Sequence, residues 1–229
     1  MSSSNPDSSA AAFDIDEVFR RLRLQLAEHP KAAMFDLRDR GFASPFEQLV
    51  SSLISARTRD ETTMTVSLRL FAVARTPAAM ADLPEADLVA LLAGATFPEP
   101  KARDIRELSR RIVGDHAGVV PDTMAGLTAF RGVGPKIAAL TLAVGFNQAT
   151  AIPVDIHVHR IANRWGYVAT TTPEQTMAAL EKKLPRGYWI EINERCVPFG
   201  KFVCTGVSPK CSTCSVRSMC ARVGVTSSR

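Results

Sequence analysis

The sequence predicts an all-α fold. Apolar residues recur at helical intervals along the chain, and Ser, Thr, Asp and Pro start signals stand ahead of them. No convincing alternating strand and no internal repeat interrupts that pattern. The 229 residues, 46% hydrophobic and 22% charged, are enough to bury a sizeable core and exclude a wholly disordered chain.

Residues 1–12, MSSSNPDSSAAA, are rich in Ser, Asp and Pro without an apolar period, and are expected to form a disordered tail. From Phe13, the spacing of Val18, Leu22 and Leu26 predicts a helix, with Asp14 and Asp16 at its first turn and His29-Pro30 ending it. Ser44-Pro45-Phe46-Glu47 is a start signal, in which Ser caps, Pro takes the first helical position and Glu the third. Leu49, Leu53 and Ile54 supply the apolar stripe. Asp60 is expected to cap a helix to about Ala74, with Met64, Leu68 and Phe71 on one face. Thr76-Pro77 opens a short helix with Met80 and Leu83, and Pro84 opens one through Leu92. Glu99-Pro100 precedes a helix carrying Ile105, Leu108 and Ile112. Pro121-Asp122 leads into a helix over 124–130, and Pro135 opens a strongly apolar helix to about Phe146. Further helices are expected over 155–165 and 173–184.

The net charge is +5, from 28 Lys and Arg against 23 Asp and Glu. The last 29 residues alone carry +5, with Lys201, Lys210, Arg217, Arg222 and Arg229 and no acid. Residues 101–164 hold nine basic and five acidic side chains. Such a balance suits a polyanion such as nucleic acid, or an ordinary solvated surface. The longest nearly apolar stretches, 88–97 and 137–146, are too short for a membrane helix, which takes about 17–25 residues. No membrane partner is expected. No Lys/Arg-led apolar signal segment opens the chain, and the Ala- and Arg-rich composition points to a bacterial cytoplasm.

Three segments carry chemistry. In Gly132-Val133-Gly134-Pro135-Lys136 the glycines permit a tight hairpin between two helices, whose backbone N–H groups can hold a phosphate oxygen. Such a hairpin would grip a DNA backbone without reading bases, although a glycine between helices also serves as a simple C-cap. Lys136 stands in a first helical turn, where an ammonium opposes the helix dipole. A surface lysine on phosphate fits that place. So does a nucleophile, since the neutral amine attacks an electrophilic carbon to form a Schiff base. In Val154-Asp155-Ile156-His157, Asp155 suits an N-cap, and equally a carboxylate that stabilises a developing cation or positions water. All five cysteines follow residue 195, and Cys204, Cys211, Cys214 and Cys220 are spaced C-x6-C-x2-C-x5-C. Without a secretion signal this favours a metal or an iron–sulfur cluster over disulfides, and the spacing leaves iron–sulfur and zinc equally open. Cys196 falls outside the pattern and reads as a buried or free thiol.

The combination resembles the endonuclease III family, DNA-repair glycosylases of the helix-hairpin-helix superfamily. The resemblance runs from about Val18 to Cys220. The family pattern G-V-G-x-K-x-A is met by Gly132–Ala138, V-D-x-H by Val154–His157, and the cysteine spacing at every position. Ser44–Glu47 and Thr76–Met80 also match family segments. The resemblance implies a two-lobed fold. Residues 38–150 would form a six-helix bundle lobe with the hairpin. Residues 13–37 and 151–229 would form a second lobe, holding a [4Fe–4S] cluster on Cys204, Cys211, Cys214 and Cys220. It also implies a monomer that lays duplex DNA with a damaged base or abasic site across the cleft between the lobes. The base is flipped out, its glycosidic bond is cut, and the abasic site is nicked by β-elimination. Carried over, Lys136 is the Schiff-base nucleophile and Asp155 the essential carboxylate. Gly132, Val133, Gly134 and His157 would lie at the DNA.

Two segments that would touch the duplex depart from the family. Where it has S-A-Q-A-T-D, this chain has Ser55-Ala56-Arg57-Thr58-Arg59-Asp60, so Arg57 replaces the Gln that fills the gap left by the flipped nucleotide. The family's second wedge loop, G-L-Y-N-S-K-A, is here Thr96-Phe97-Pro98-Glu99-Pro100-Lys101-Ala102. Phe97 would stack in place of the Leu, with Pro98 and Lys101 beside it at the DNA and two prolines stiffening the loop. One extra residue also lies between Lys136 and Asp155. Oxidised pyrimidines are the expected substrates. The alternatives are a relative with altered specificity, such as mismatched thymine, and a weakly catalytic or non-catalytic iron–sulfur DNA-binding protein. Lys136 speaks against the adenine-specific relatives, which usually lack the lysine and carry a longer C-terminal domain.

Overall fold

The computed structural model describes residues 13–229; the tail expected over 1–12 lies outside the described residues. Twelve α-helices and no strand occur among them. α1 (Ile15–Gln25) starts where Asp14 accepts hydrogen bonds from the Asp16 and Glu17 amides, and it buries Val18, Phe19 and Leu22. α2 (Ala33–Asp39) was not expected; no side chain caps it, yet Ala33, Met34, Phe35 and Leu37 are buried. α3 (Pro45–Ser55) opens with the full capping box of Ser44 and Glu47, and every residue from Phe46 to Ile54 is buried. It is the central post of the molecule.

α4 (Asp60–Phe71) differs from expectation in two ways. Asp60 is its first helical residue and Arg59 holds the uncapped N-cap position. Its buried face is Thr63, Val66, Ser67, Leu70 and Phe71, while Met64 and Leu68 are half-buried against a separate cluster. α5 (Pro77–Asp82), α6 (Glu85–Leu91), α7 (Pro98–Asp115) and α8 (Met124–Thr128) follow. α9 (Pro135–Leu140) does not run on as one α-helix; it widens into a π turn over Thr141–Gly145. There the Thr141 hydroxyl donates back to Ile137 O at 2.9 Å. Gly145 lets this turn lie against α3, because a Cβ there would meet Pro45 Cα at 2.9 Å. α10 (Ile156–Arg164), α11 (Pro173–Lys183) and α12 (Glu191–Phe202) complete the helices, and short 3-10 turns shape 211–213 and 217–219. α12 was also not expected, and it tolerates Pro198 in its interior.

The buried apolar side chains form three clusters. The first surrounds α3 and joins it to α4, α7, the hairpin and α9 through Leu49, Ile54, Leu70, Ile105, Val133 and Ile137. The second packs α1 against the C-terminal segments, through Phe19 and Leu22 with Val158, Ile161, Trp165 and Phe199. The third sits between them, where Phe35 and Leu37 of α2 meet Leu140, Val144 and Val197. Full burial of one such side chain contributes about 1.5–3 kcal/mol, so α2 is held by its packing and not by a cap.

Candidate active site and cysteine loop

α8 and α9 flank a hairpin over 129–134. Val133, 5% exposed, plugs it into the first cluster. Gly132 has φ +80°, and a Cβ there would stand 2.9 Å from Asp104 Oδ2 and 3.3 Å from Leu53 Cδ2, so this turn requires glycine. Gly134 is different. It is the extended residue before α9, and a Cβ there would meet nothing within 4 Å. Its face is open to a ligand. Lys136 follows Pro135 and is half-buried. Gly132, Gly134 and Lys136 share a cavity of about 320 Å³, whose other walls include Ser52, Ala56, Val154 and Met177.

Val154 leads to the second segment. The buried Asn193 Nδ2 donates to Pro153 O at 2.8 Å and holds this extended stretch against α12. Asp155 caps α10, and its Oδ1 accepts from the amides of both His157 and Val158 at 2.9 Å. Both bonds fall on one oxygen, so the cap leaves Oδ2 uncommitted. The structure therefore gathers Lys136 and the hairpin glycines around one cavity and sets Asp155 one residue beyond its wall. His157 is half-buried, and burial pushes its imidazole below its ordinary pKa. Its Nδ1 lies 3.0 Å from Arg160 Nη2, so only the Nε2 edge remains for a partner. Arg160 donates onward to Gly200 O and Cys204 O, which ties α10 to the cysteine loop.

Arg57 and Phe97 are both exposed and stand on adjacent loops, with φ of +58° and +56°. Thr96 Oγ1 donates to Arg57 O at 2.9 Å, and Thr96 N donates to Thr58 Oγ1 at 3.1 Å. Ala56, next to Arg57, lines the large cavity, and Pro98 is the half-buried first residue of α7. Lys101 corrects the expectation of a DNA contact. It is 8% exposed, and Nζ donates to Ile54 O at 2.6 Å, Ala56 O at 2.8 Å and Thr58 Oγ1 at 2.9 Å. All three N–H groups are engaged inside the protein, so none is left for phosphate. Burial pushes its pKa down to about 8. No sequence signal marks these bonds, because the partners lie 43 to 47 residues away. Asn193 was likewise invisible in the sequence.

Cys204, Cys211, Cys214 and Cys220 all line one narrow cavity, with Arg164, Lys210, Arg217 and Arg222 among its walls. Arg164 Nη1 reaches Cys204 Sγ at 3.4 Å and Thr205 O at 2.6 Å, and Cys220 Sγ donates to Arg164 O at 3.4 Å. Burial pushes the Cys214 thiol up to about 11 and raises that of Cys220. Cys196 is fully buried on α12, outside this set. Among the described residues no three His, Cys, Asp or Glu side chains converge as a single metal ion requires. α1 clasps the loop: Arg21 Nη1 donates to Ser215 O at 2.9 Å and Gln25 Nε2 to Thr213 O at 2.8 Å.

The family model for the HhH-GPD superfamily base excision DNA repair protein matches residues 50–186. That span contains the hairpin, Lys136 and Asp155. Endonuclease III of Thermotoga maritima is 43% identical over 77% of this chain and 82% of its own length. Endonuclease III of Escherichia coli K12 is 30% identical over 89% of this chain and 93% of its own. The solved structure of a trapped endonuclease III–DNA covalent intermediate superposes with a TM-score of 0.76 at 26% identity, covering 91% of this chain and 94% of that one. The chain belongs to the HhH-GPD superfamily of base excision DNA repair proteins, in its endonuclease III branch.

Proposed function

We propose that this base excision repair glycosylase and lyase removes oxidised pyrimidines from duplex DNA and nicks the resulting abasic site through Lys136. The observation that carries the reading is the cavity of about 320 Å³ that Lys136 shares with Gly132, Gly134 and Val154, the residue before Asp155. It has room for a flipped base, and the open face at Gly134 suits close approach of a DNA backbone.

The reaction follows from these side chains. The neutral Lys136 amine attacks C1′ of the flipped nucleotide. The C1′–N bond to the base breaks, and the base leaves with the bonding pair and takes up a proton. The Asp155 carboxylate offsets the positive charge that develops on the sugar. The sugar ring then opens, O4′ takes a proton, and a protonated imine links Lys136 to C1′. Loss of a C2′ proton expels the 3′ phosphate by breaking C3′–O.

The donor set at the cysteine loop fits a [4Fe–4S] cluster. Four thiols line one cavity, and basic side chains around it offset the negative charge of a thiolate-ligated centre. Zinc would draw all four sulfurs to about 2.3 Å from one ion, whereas a cubane takes each thiolate on a different iron and spaces them more widely. When bound, the cluster supplies a structural cross-link.

Borohydride trapping tests the reaction on one duplex carrying thymine glycol and another carrying an abasic site. A covalent adduct with both, absent in Lys136→Gln, is expected. An adduct with the abasic site alone would remove oxidised pyrimidines from the reading and leave the lyase. No adduct with either would overturn the proposal.

A further inference from the structure

Lys101 is a lysine whose cation serves no surface purpose. It is 8% exposed, and its three donors bind Ile54 O, Ala56 O and Thr58 Oγ1 at 2.6 to 2.9 Å. Two of these acceptors close the C-terminal end of α3, and the third lies on the far side of Arg57. Lys101 itself belongs to the first turn of α7, four residues after Phe97. One ammonium therefore joins the two loops that carry Arg57 and Phe97. Thr58 completes the joint, since its Oγ1 also accepts from Thr96 N while Thr96 Oγ1 donates to Arg57 O.

The joined residues are strained. Arg57 and Phe97 both have φ in the left-handed region, +58° and +56°. Side chains this bulky hold such a backbone only where the surroundings over-determine it. Both are also exposed, Phe97 at 55%. The molecule thus keeps a buried charge beneath two unfavourable backbone turns, and each turn exposes a large side chain, one a cation and one an aromatic ring, on hydrogen-bonded neighbouring loops.

We propose that Lys101 is a positioning residue, whose bonds across the α3–α7 junction lock Arg57 and Phe97 into one rigid wedge that enters the duplex at a flipped nucleotide. The inference rests on the proposed reading of Arg57 and Phe97 as insertion residues. Insertion can be read separately from base removal.

The test therefore reads insertion without chemistry. A duplex carries 2-aminopurine opposite a tetrahydrofuran abasic analogue, and its fluorescence rises when a wedge unstacks the base. Wild type is expected to raise the signal, and Arg57→Ala/Phe97→Ala to abolish the rise. Lys101→Met keeps the aliphatic stem and removes all three donors, and should weaken the rise by at least about tenfold, the scale that one lost charge-assisted hydrogen bond already gives. Adding Lys101→Met to the double variant should change nothing more. Thr58→Val removes only the shared hydroxyl, should give a smaller loss in the same direction, and carries the test alone should Lys101→Met not fold. A wild-type rise in both Lys101→Met and Thr58→Val overturns the proposal. So does an equal loss of duplex affinity from Lys101→Met in both backgrounds, which would make Lys101 act independently of Arg57 and Phe97. A rise in wild type that Arg57→Ala/Phe97→Ala leaves intact overturns the wedge reading itself. Failure of base excision with the fluorescence pattern intact would overturn the substrate reading and leave the positioning role standing.

Discussion

Asp155 caps α10, and the proposed reaction gives it a second role that one pair of substitutions separates from the first. Asn caps a helix as well as Asp does, so Asp155→Asn keeps the two bonds to the His157 and Val158 amides and loses only the charge. Stability should fall by no more than about 1 kcal/mol, the size of a first-turn charge effect. Base release in a single turnover should fall by about a hundredfold or more if the carboxylate acts on the reacting sugar. Asp155→Ala removes the cap as well and should cost about 1–2 kcal/mol. Full activity in Asp155→Asn would reduce Asp155 to a cap. At Arg57, Arg57→Ala should slow base release more than it weakens binding to undamaged duplex, because one exposed side chain adds little to backbone attraction. Equal loss in the two assays would place Arg57 on phosphate instead.

Within the hairpin the two glycines should give opposite phenotypes. Gly132→Ala meets a positive φ and a contact of 2.9 Å with Asp104, and should cost about 1–3 kcal/mol in chemical denaturation. Gly134→Ala has a permitted backbone and open space, so stability should hold while duplex binding weakens. Wild-type binding by Gly134→Ala would remove that face from the DNA contact. The elements show what a sequence discloses. α3, α5 and α11 were legible because a side-chain cap and a proline at the first position announce each start. α2 and α12 carry no such cap, and both are formed by packing between segments far apart in the chain. The π turn after α9 is likewise set by its contact with α3, which no local pattern reports. At the site, Lys136 stood out because local backbone chemistry explains a lysine there poorly. Lys101 was misplaced at the DNA because its acceptors lie on another element.

At the scale of the molecule, the cysteine loop and the first core are separate bodies of packing. Cys204, Cys214 and Cys220 pack against the second cluster, with α1, and none of them touches the first cluster around α3. α1 adds polar clasps to the loop through Arg21 and Gln25, and its own Phe19 stacks on Tyr188 at 4.1 Å. A cross-link through four cysteines should thus stabilise one core far more than the other. The purified protein is expected to be yellow-brown, with about four irons per chain. Oxidative loss of the iron should then speed amide hydrogen exchange in α1, α10 and α12, while α3 and α7 stay protected. Enzyme without iron should keep the side of its cavity that α3, the hairpin and α9 supply, and lose affinity for duplex through the basic 201–229 segment. A colourless protein with one zinc would refute the cluster. Equal acceleration in α1 and α3 would instead show that the third cluster, through Phe35, Leu140 and Val197, couples the two cores into one cooperative unit.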